Sequence, residues 1–130
     1  KAVVEGASGT PAIVNILDQR VLNPPADQTA YTLSKQALWQ ATRTLAMAFG
    51  ARARVHAVAP GMTLPTADFT AGQMERLAAD MPLGVLPTPA QIADAVAYLA
   101  GAETTSGQTI FVDGGAHLTH YARDFMFMER

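Results

Sequence analysis

Three short apolar runs separated by helical stretches constrain this 130-residue chain more than any other feature. The first, Ala12-Ile13-Val14-Asn15-Ile16-Leu17, is nearly continuous rather than alternating, and it ends at Asp18. Such a run predicts a strand buried on both faces of a parallel sheet, because helices cover both sides of sheets of that kind. A second run covers 53–59 and is closed by Pro60, which cannot donate to a strand ladder. A third covers about 108–112. Between the first two, an alanine-rich helix is expected from Thr29 to Phe49, stopped by Gly50. Its apolar residues occupy more than one stripe, with Leu38, Ala41, Leu45 and Phe49 on one side and Trp39 and Ala46 elsewhere. A helix apolar over most of its circumference is buried on two sides, so one side should meet the sheet and the other a partner. Residues 64–88 hold Pro65, Pro82 and Pro87 around a short amphipathic helix at about 70–80, the form of a lid over a site. Thr88 caps a further helix from Pro89 to about Leu99. The order strand, helix, strand, helices, strand predicts right-handed parallel crossovers in an α/β layer. Gly6, Gly9 and Pro11 read as a helix end followed by a loop; a phosphate-binding turn would need a strand before the glycines, and here one follows them.

Chemistry concentrates where the long helix begins. Tyr31 and Lys35 in Ala30-Tyr31-Thr32-Leu33-Ser34-Lys35 are four residues apart and share a helix face. A phenol, with an ordinary pKa of about 10, transfers protons poorly near neutrality unless a positive charge favours the phenolate. Lys35 supplies such a charge. Asp18 stands thirteen positions before Tyr31, directly after the first run. In an open parallel sheet ligands sit beyond the carboxyl ends of the strands, where Asp18, Pro60-Gly61 and Asp113-Gly114-Gly115 all fall. Blander readings exist for each residue: a surface lysine lying along a packed tyrosine gives the same spacing. Likewise, Asp18 can be a loop cap, and Thr63 a turn residue.

Four segments in order carry a resemblance: Asp18 after its run, Tyr31 with Lys35, Val55-His56-Ala57-Val58-Ala59-Pro60-Gly61-Met62-Thr63, and Ser106-Gly107-Gln108-Thr109-Ile110-Phe111-Val112-Asp113-Gly114-Gly115. Together, from Pro11 to Leu118, they resemble the C-terminal half of the short-chain dehydrogenase/reductase family. The resemblance implies an α/β fold, the C-terminal half of a Rossmann-like doubly wound parallel sheet. Residues 1–130 would then be a single partial domain, holding the catalytic and substrate-binding half. The family usually has serine at the position of Asp18. A carboxylate there, with Tyr31, Lys35 and Thr63, looks like the pteridine reductase branch and its dihydromonapterin reductase relatives. The implied activity is NADPH-dependent reduction of a pterin or related C=N or C=O substrate, with NAD not excluded as cofactor. In that scheme Asp18, Tyr31 and Lys35 are catalytic: Tyr31 gives the proton, Lys35 lowers its pKa and holds the ribose hydroxyls, and Asp18 accepts bonds from ring N–H groups. Tyr31, Lys35, Pro60, Gly61, Met62 and Thr63 line the cofactor, Gly61 by allowing close backbone approach. The lid departs from many relatives: Pro82-Leu83-Gly84 is followed by Val85 rather than arginine.

A net charge of −2 offers no electrostatic case for nucleic acid or an anionic membrane. The apolar runs are too short to span a bilayer and the first residues lack the pattern of a signal peptide, so a soluble, cytoplasmic protein is expected. Zero cysteines exclude disulfides and thiolate metal sites. His56 falls inside the second strand as a core or sheet-face residue, and His117 and His120 lack an acidic partner at helical spacing, so no metal is expected. Expected partners are a small-molecule substrate, a companion N-terminal polypeptide carrying the dinucleotide-binding half, and further copies of the chain. The oligomer would use helix 29–49 and the aromatic tail Tyr121 to Phe127, which is too apolar to be left in water. The rival reading from another class is a non-catalytic half-domain that uses the same helix and tail for oligomerisation or interaction.

Overall fold

The computed structural model describes residues 10–67, 69–70 and 72–128. The three apolar runs pair as a parallel sheet of β1 (Ala12–Ile16), β2 (Arg54–Pro60) and β3 (Thr109–Val112), in the order β1-β2-β3. Ala12 aligns with Arg54 through Ile16 with Val58, and Ala57 with Thr109 through Pro60 with Val112. Parallel neighbours need a crossover rather than a tight turn. The first is α1 (Thr29–Phe49); the second carries α2 (Gln73–Asp80) and α3 (Pro89–Gly101). The reading of residues 1–9, including Gly6 and Gly9, lies outside the described residues.

Burial on both faces belongs to the middle strand. Arg54 to Ala59 are all buried in β2, whereas β1 is an edge strand among the described residues and its side chains are half-buried, with Ile16 45% exposed. The expectation for 12–17 is corrected to that extent. On one face of β2, Ala57 and Ala59 leave room for Leu38 and Trp39 of α1, which close over them with Leu17, Val21 and Phe111. Two polar ties fix this contact: Trp39 Nε1 donates to Thr109 Oγ1 at 3.1 Å, and Asn15 Nδ2 to the buried Thr42 Oγ1 at 3.0 Å.

The opposite face takes α3. Thr88 caps its first turn in a reciprocal capping box with Gln91, and Pro89 occupies a position where no N–H is needed. At its other end Arg54, though buried, donates to the carbonyls of Leu99, Ala100 and Ala102 at 2.8, 2.6 and 3.0 Å. A guanidinium there satisfies orphan carbonyls and meets the negative end of the helix dipole. His56 lies beside it, fully buried, with neither ring nitrogen in a hydrogen bond of ordinary geometry. Burial first, and the charge of Arg54 second, push the imidazole below its usual pKa, with the Thr105 backbone working weakly the other way.

The far side of α1 is open. Leu33, Leu45 and Met47 are exposed, so within one chain the helix is covered on one side only. The tail packs in part on its own chain. Phe125 buries against Leu77, Met81 and Ala116, Tyr121 meets it edge-on at 5.0 Å, and the fully buried Gln73 donates to the carbonyls of Phe125 and Met128 at 3.3 and 2.6 Å. Part of the tail's cover thus comes from its own chain, through Leu77 of α2 and Met81 just after it. Among the described residues no helix is long and apolar enough to cross a membrane.

The turn after α2 docks on the loop after β3. Leu83 N donates to Gly114 O at 3.0 Å, and Gly114, at φ +66°, lies where a Cβ would strike the Val85 carbonyl oxygen. Gly114→Ala should therefore destabilise the fold by about 1–3 kcal/mol in urea unfolding, and a neutral result would show that the turn shifts freely. A second expectation concerns pH. His56 resists protonation when folded but accepts a proton near 6.5 when unfolded, so stability is full above that pH and falls as pH drops through it. Comparing urea melts at pH 7 and 5, His56→Leu should flatten the slope by at most about 1.4 kcal/mol per pH unit.

Candidate active site

At the end of β1 the chain stays tied to the sheet through Leu17 N, which donates to Val58 O at 2.8 Å. Asp18 then turns it. With an extended backbone, its Oδ1 accepts from Arg20 N at 2.9 Å and caps the 3-10 turn Gln19–Val21. Its Oδ2 accepts from the Tyr31 hydroxyl at 3.0 Å. The capping role and the contact with the tyrosine thus coexist, one oxygen serving each.

Tyr31 stands in the first turn of α1, preceded by Gln28, which at φ 51° is the only non-glycine residue with positive φ among those described. Lys35, one turn on, reaches back to the end of β1 and donates from Nζ to Ile16 O at 3.0 Å; the same nitrogen lies 5.7 Å from the Tyr31 ring centroid. Asp18, Tyr31 and Lys35 therefore meet at one rim, beyond the carboxyl end of β1. The electrostatics run against expectation. The phenol is pushed up to about 12, by burial first and then by the charge and hydrogen bond of Asp18, with Asp124 adding to it and Arg20 opposing. Lys35 was expected to lower this value. Its ammonium instead sits over the ring and is held by a carbonyl, while the hydroxyl is committed to a carboxylate.

The segment after β2 meets the same rim from the side. A cavity of about 240 Å3 is lined by Asp18, Gln19, residues 61–64, Asp124 and Phe125. Gly61, Met62 and Thr63 thus face the cavity that Asp18 faces, whereas Pro60, Tyr31 and Lys35 stand outside its lining. The close approach at Gly61 is to the chain itself: a Cβ there would lie 2.7 Å from Asp113 Cα. Thr63 Oγ1 donates to Gly61 O at 2.9 Å, so the turn role is real. A larger cavity of about 820 Å3 opens at the other end of the strands, near Pro11, Arg54 and Ser106, and holds none of the expected site residues.

Two groups at this rim escaped the sequence. Arg20 is 2% exposed, with its guanidinium 2.8 Å from Asp124 Oδ2, 3.6 Å from Asp27 Oδ1, 3.2 Å from Gln28 Oε1 and 5.6 Å from the Tyr31 ring centroid. No local pattern marks it, since its partners are scattered along the chain. The second is Asp113 with His117. The expectation that the histidines lack an acidic neighbour is wrong for His117, whose Nδ1 lies 2.9 Å from Asp113 Oδ2, four residues back. Asp113 also accepts from the backbone N of Gly115 and of His117, at 3.0 and 2.7 Å, and caps the turn that makes this spacing meet. His117 stacks on Phe111 with centroids 4.4 Å apart, and its carbonyl accepts from Asn23 Nδ2 at 2.7 Å. Among the described residues no three His, Cys, Asp or Glu side chains form a group able to hold a metal ion.

With this geometry, similarity to known proteins becomes informative. A family described as enoyl-(acyl carrier protein) reductase matches residues 2–117. The FolM alternative dihydrofolate reductase 1 of Brucella suis, solved in complex with NADP, is 42% identical with a TM-score of 0.82, over 87% of this chain and 46% of that one. Its counterpart from Brucella canis, also complexed with NADP, is 44% identical with a TM-score of 0.77, over 86% of this chain and 44% of that one. Carbonyl reductase family member 4 of Danio rerio is 39% identical over 109 residues, 82% of this chain and 45% of that protein. The chain thus spans less than half the length of the curated relatives it matches. A parallel α/β sheet, a tyrosine and a lysine one helical turn apart at its carboxyl rim, and a match over nearly all its residues agree: this chain belongs to the enoyl-(acyl carrier protein) reductase family of short-chain dehydrogenases/reductases.

Proposed function

We propose that this chain forms the catalytic and substrate-binding part of an NADPH-dependent reductase acting on a pterin, a dihydropterin or a related C=N or C=O compound. It works with a dinucleotide-binding portion, on the same polypeptide or on a companion. One observation carries this reading: the Tyr31 hydroxyl 3.0 Å from Asp18, with the Lys35 amine at the same rim. The resemblance in sequence to two alternative dihydrofolate reductases in complex with NADP supports the cofactor and the substrate class.

The residues present fit a nicotinamide nucleotide. Lys35 directs one of its three donors to Ile16 O, which leaves the others to hold ribose hydroxyls. Gly61, Met62 and Thr63 offer the neighbouring wall. A cavity of about 240 Å3 is smaller than the usual ligand pocket of about 300–1,000 Å3, consistent with a site that another part of the enzyme completes. The bound nicotinamide supplies the hydride. Tyr31 carries the proton for the electron-rich atom of the substrate, and a phenol held at about 12 keeps that proton at every physiological pH. Asp18 accepts from the N–H and amino donors of the heterocycle. When it does, Oδ2 is drawn from the Tyr31 hydroxyl, removing part of what holds the phenol so high, so substrate binding readies the proton for transfer. A simple ketone has no donors for Asp18 to accept, which is why the carboxylate favours a nitrogen heterocycle.

The exposed Leu33, Leu45 and Met47 on α1 favour assembly with further copies of the chain, and a purely structural half-domain would keep them too, together with the aromatic tail. Activity separates the two. In the intact enzyme, Tyr31→Phe should lower kcat by about a hundred- to ten-thousandfold while NADPH affinity, read by fluorescence titration, stays within about twofold. Substantial remaining turnover would refute the proton-donor role. Asp18→Ser should shift kcat/KM from dihydrobiopterin toward an aromatic ketone, and equal losses on both substrates would remove the case for a heterocycle.

A further inference from the structure

We propose that Arg20 is a positioning residue that clamps the C-terminal segment Asp124–Phe127 against the Asp18 loop, so that this chain's own tail forms a wall of the substrate pocket. The inference rests on the reading of the site given above and adds a determinant of substrate choice to it.

Arg20 binds in two directions. Its backbone N holds Asp18 Oδ1 at 2.9 Å, while its guanidinium holds Asp124 Oδ2 at 2.8 Å. One residue therefore sets both the carboxylate at the rim and the segment across from it. The clamp has further strands. Asp27, 3.6 Å from the same guanidinium, accepts from Asp124 N at 3.0 and 2.9 Å. Gln28 accepts from Arg20 at 3.2 Å and donates from Nε2 to Met126 Sδ at 3.0 Å. That bridge explains why Gln28 is kept in the left-handed region, where a residue other than glycine is strained. Asp124 in turn accepts from Met126 N at 2.9 Å and starts the 3-10 turn Phe125–Phe127.

The outcome is a cavity bounded by Asp18 and Gln19 on one side and by Asp124 and Phe125 on the other. A wall of one carboxylate and one aromatic ring favours a compact ring bearing N–H donors over a bulky or anionic substrate. The buried guanidinium is nearly closed to solvent, so removing it leaves Asp27 and Asp124 facing each other with only the exposed Arg123, 4.0 Å from Asp27 Oδ2, as a countercharge among the described residues. The tail should then swing out.

Arg20→Met and Asp124→Asn, made singly and together in the intact enzyme, test this through hydrogen exchange of residues 121–128 and steady-state kinetics on dihydrobiopterin and an aromatic ketone. Each single variant should lose protection in the tail and raise KM for dihydrobiopterin about tenfold, with kcat and NADPH affinity changed less than about threefold. The double variant should be no worse than the singles, as for two members of one interaction. A tail that stays protected in Arg20→Met, or one that loosens with KM unchanged on both substrates, overturns the proposal. If Arg20→Met does not fold, Asp124→Asn decides by the same readouts. An enzyme that reduces the ketone but no pterin fails the substrate reading alone, and the clamp is then judged by KM for the ketone; turnover of neither fails both.

Discussion

Everything in this structure hangs on the burial of β2 from both sides. Because Arg54 to Ala59 are inaccessible, α1 must lie on one face of the sheet and α3 on the other. Two parallel crossovers are the only short connections that place them there, and they bring the carboxyl ends of all three strands to one edge. The site is a consequence of that edge. Alanines at 57 and 59 set how closely α1 approaches, and the approach of α1 in turn fixes how near Tyr31 comes to Asp18.

Asp18 is the point where fold and chemistry meet. One oxygen ends the strand by capping the turn that follows, and the other holds a phenol. Burial first, and then the carboxylate beside its hydroxyl, hold Tyr31 well above its ordinary range although two cations, Arg20 and Lys35, lie within 6 Å of its ring centroid. Lys35 spends its amine on a strand carbonyl and so belongs to the rim as a donor more than as a charge acting on the hydroxyl.

The loops around this pair are held by side chains far apart in sequence. Asp113 packs beneath Gly61 and pairs with His117, whose carbonyl holds Asn23; Gly114 beside it seats the turn at Leu83. Arg20 joins the Asp18 loop to the tail through Asp27, Gln28 and Asp124. Few of these contacts are apolar. Loops cannot bury enough hydrocarbon to order themselves, so buried or half-buried polar groups with satisfied partners define their shape.

The sequence by itself determined the parallel α/β class, the extent of α1 and the start of α3, and the chain positions of Asp18, Tyr31 and Lys35. Those are written in local terms: nearly continuous apolar runs, a helix stopped by Gly50, a Thr88-Pro89 cap and a four-residue spacing. It gave β1 more burial than it has among the described residues, left unseen the tail's packing on its own chain, had Lys35 lower the Tyr31 pKa, and missed Arg20 and the Asp113–His117 pair. Only the tertiary structure decided these matters. Burial depends on which strand ends up central, and pKa on which group a hydroxyl faces. An ion pair between residues 20 and 124 exists solely because two crossovers return the chain to the same edge, and no local periodicity encodes a contact across that separation.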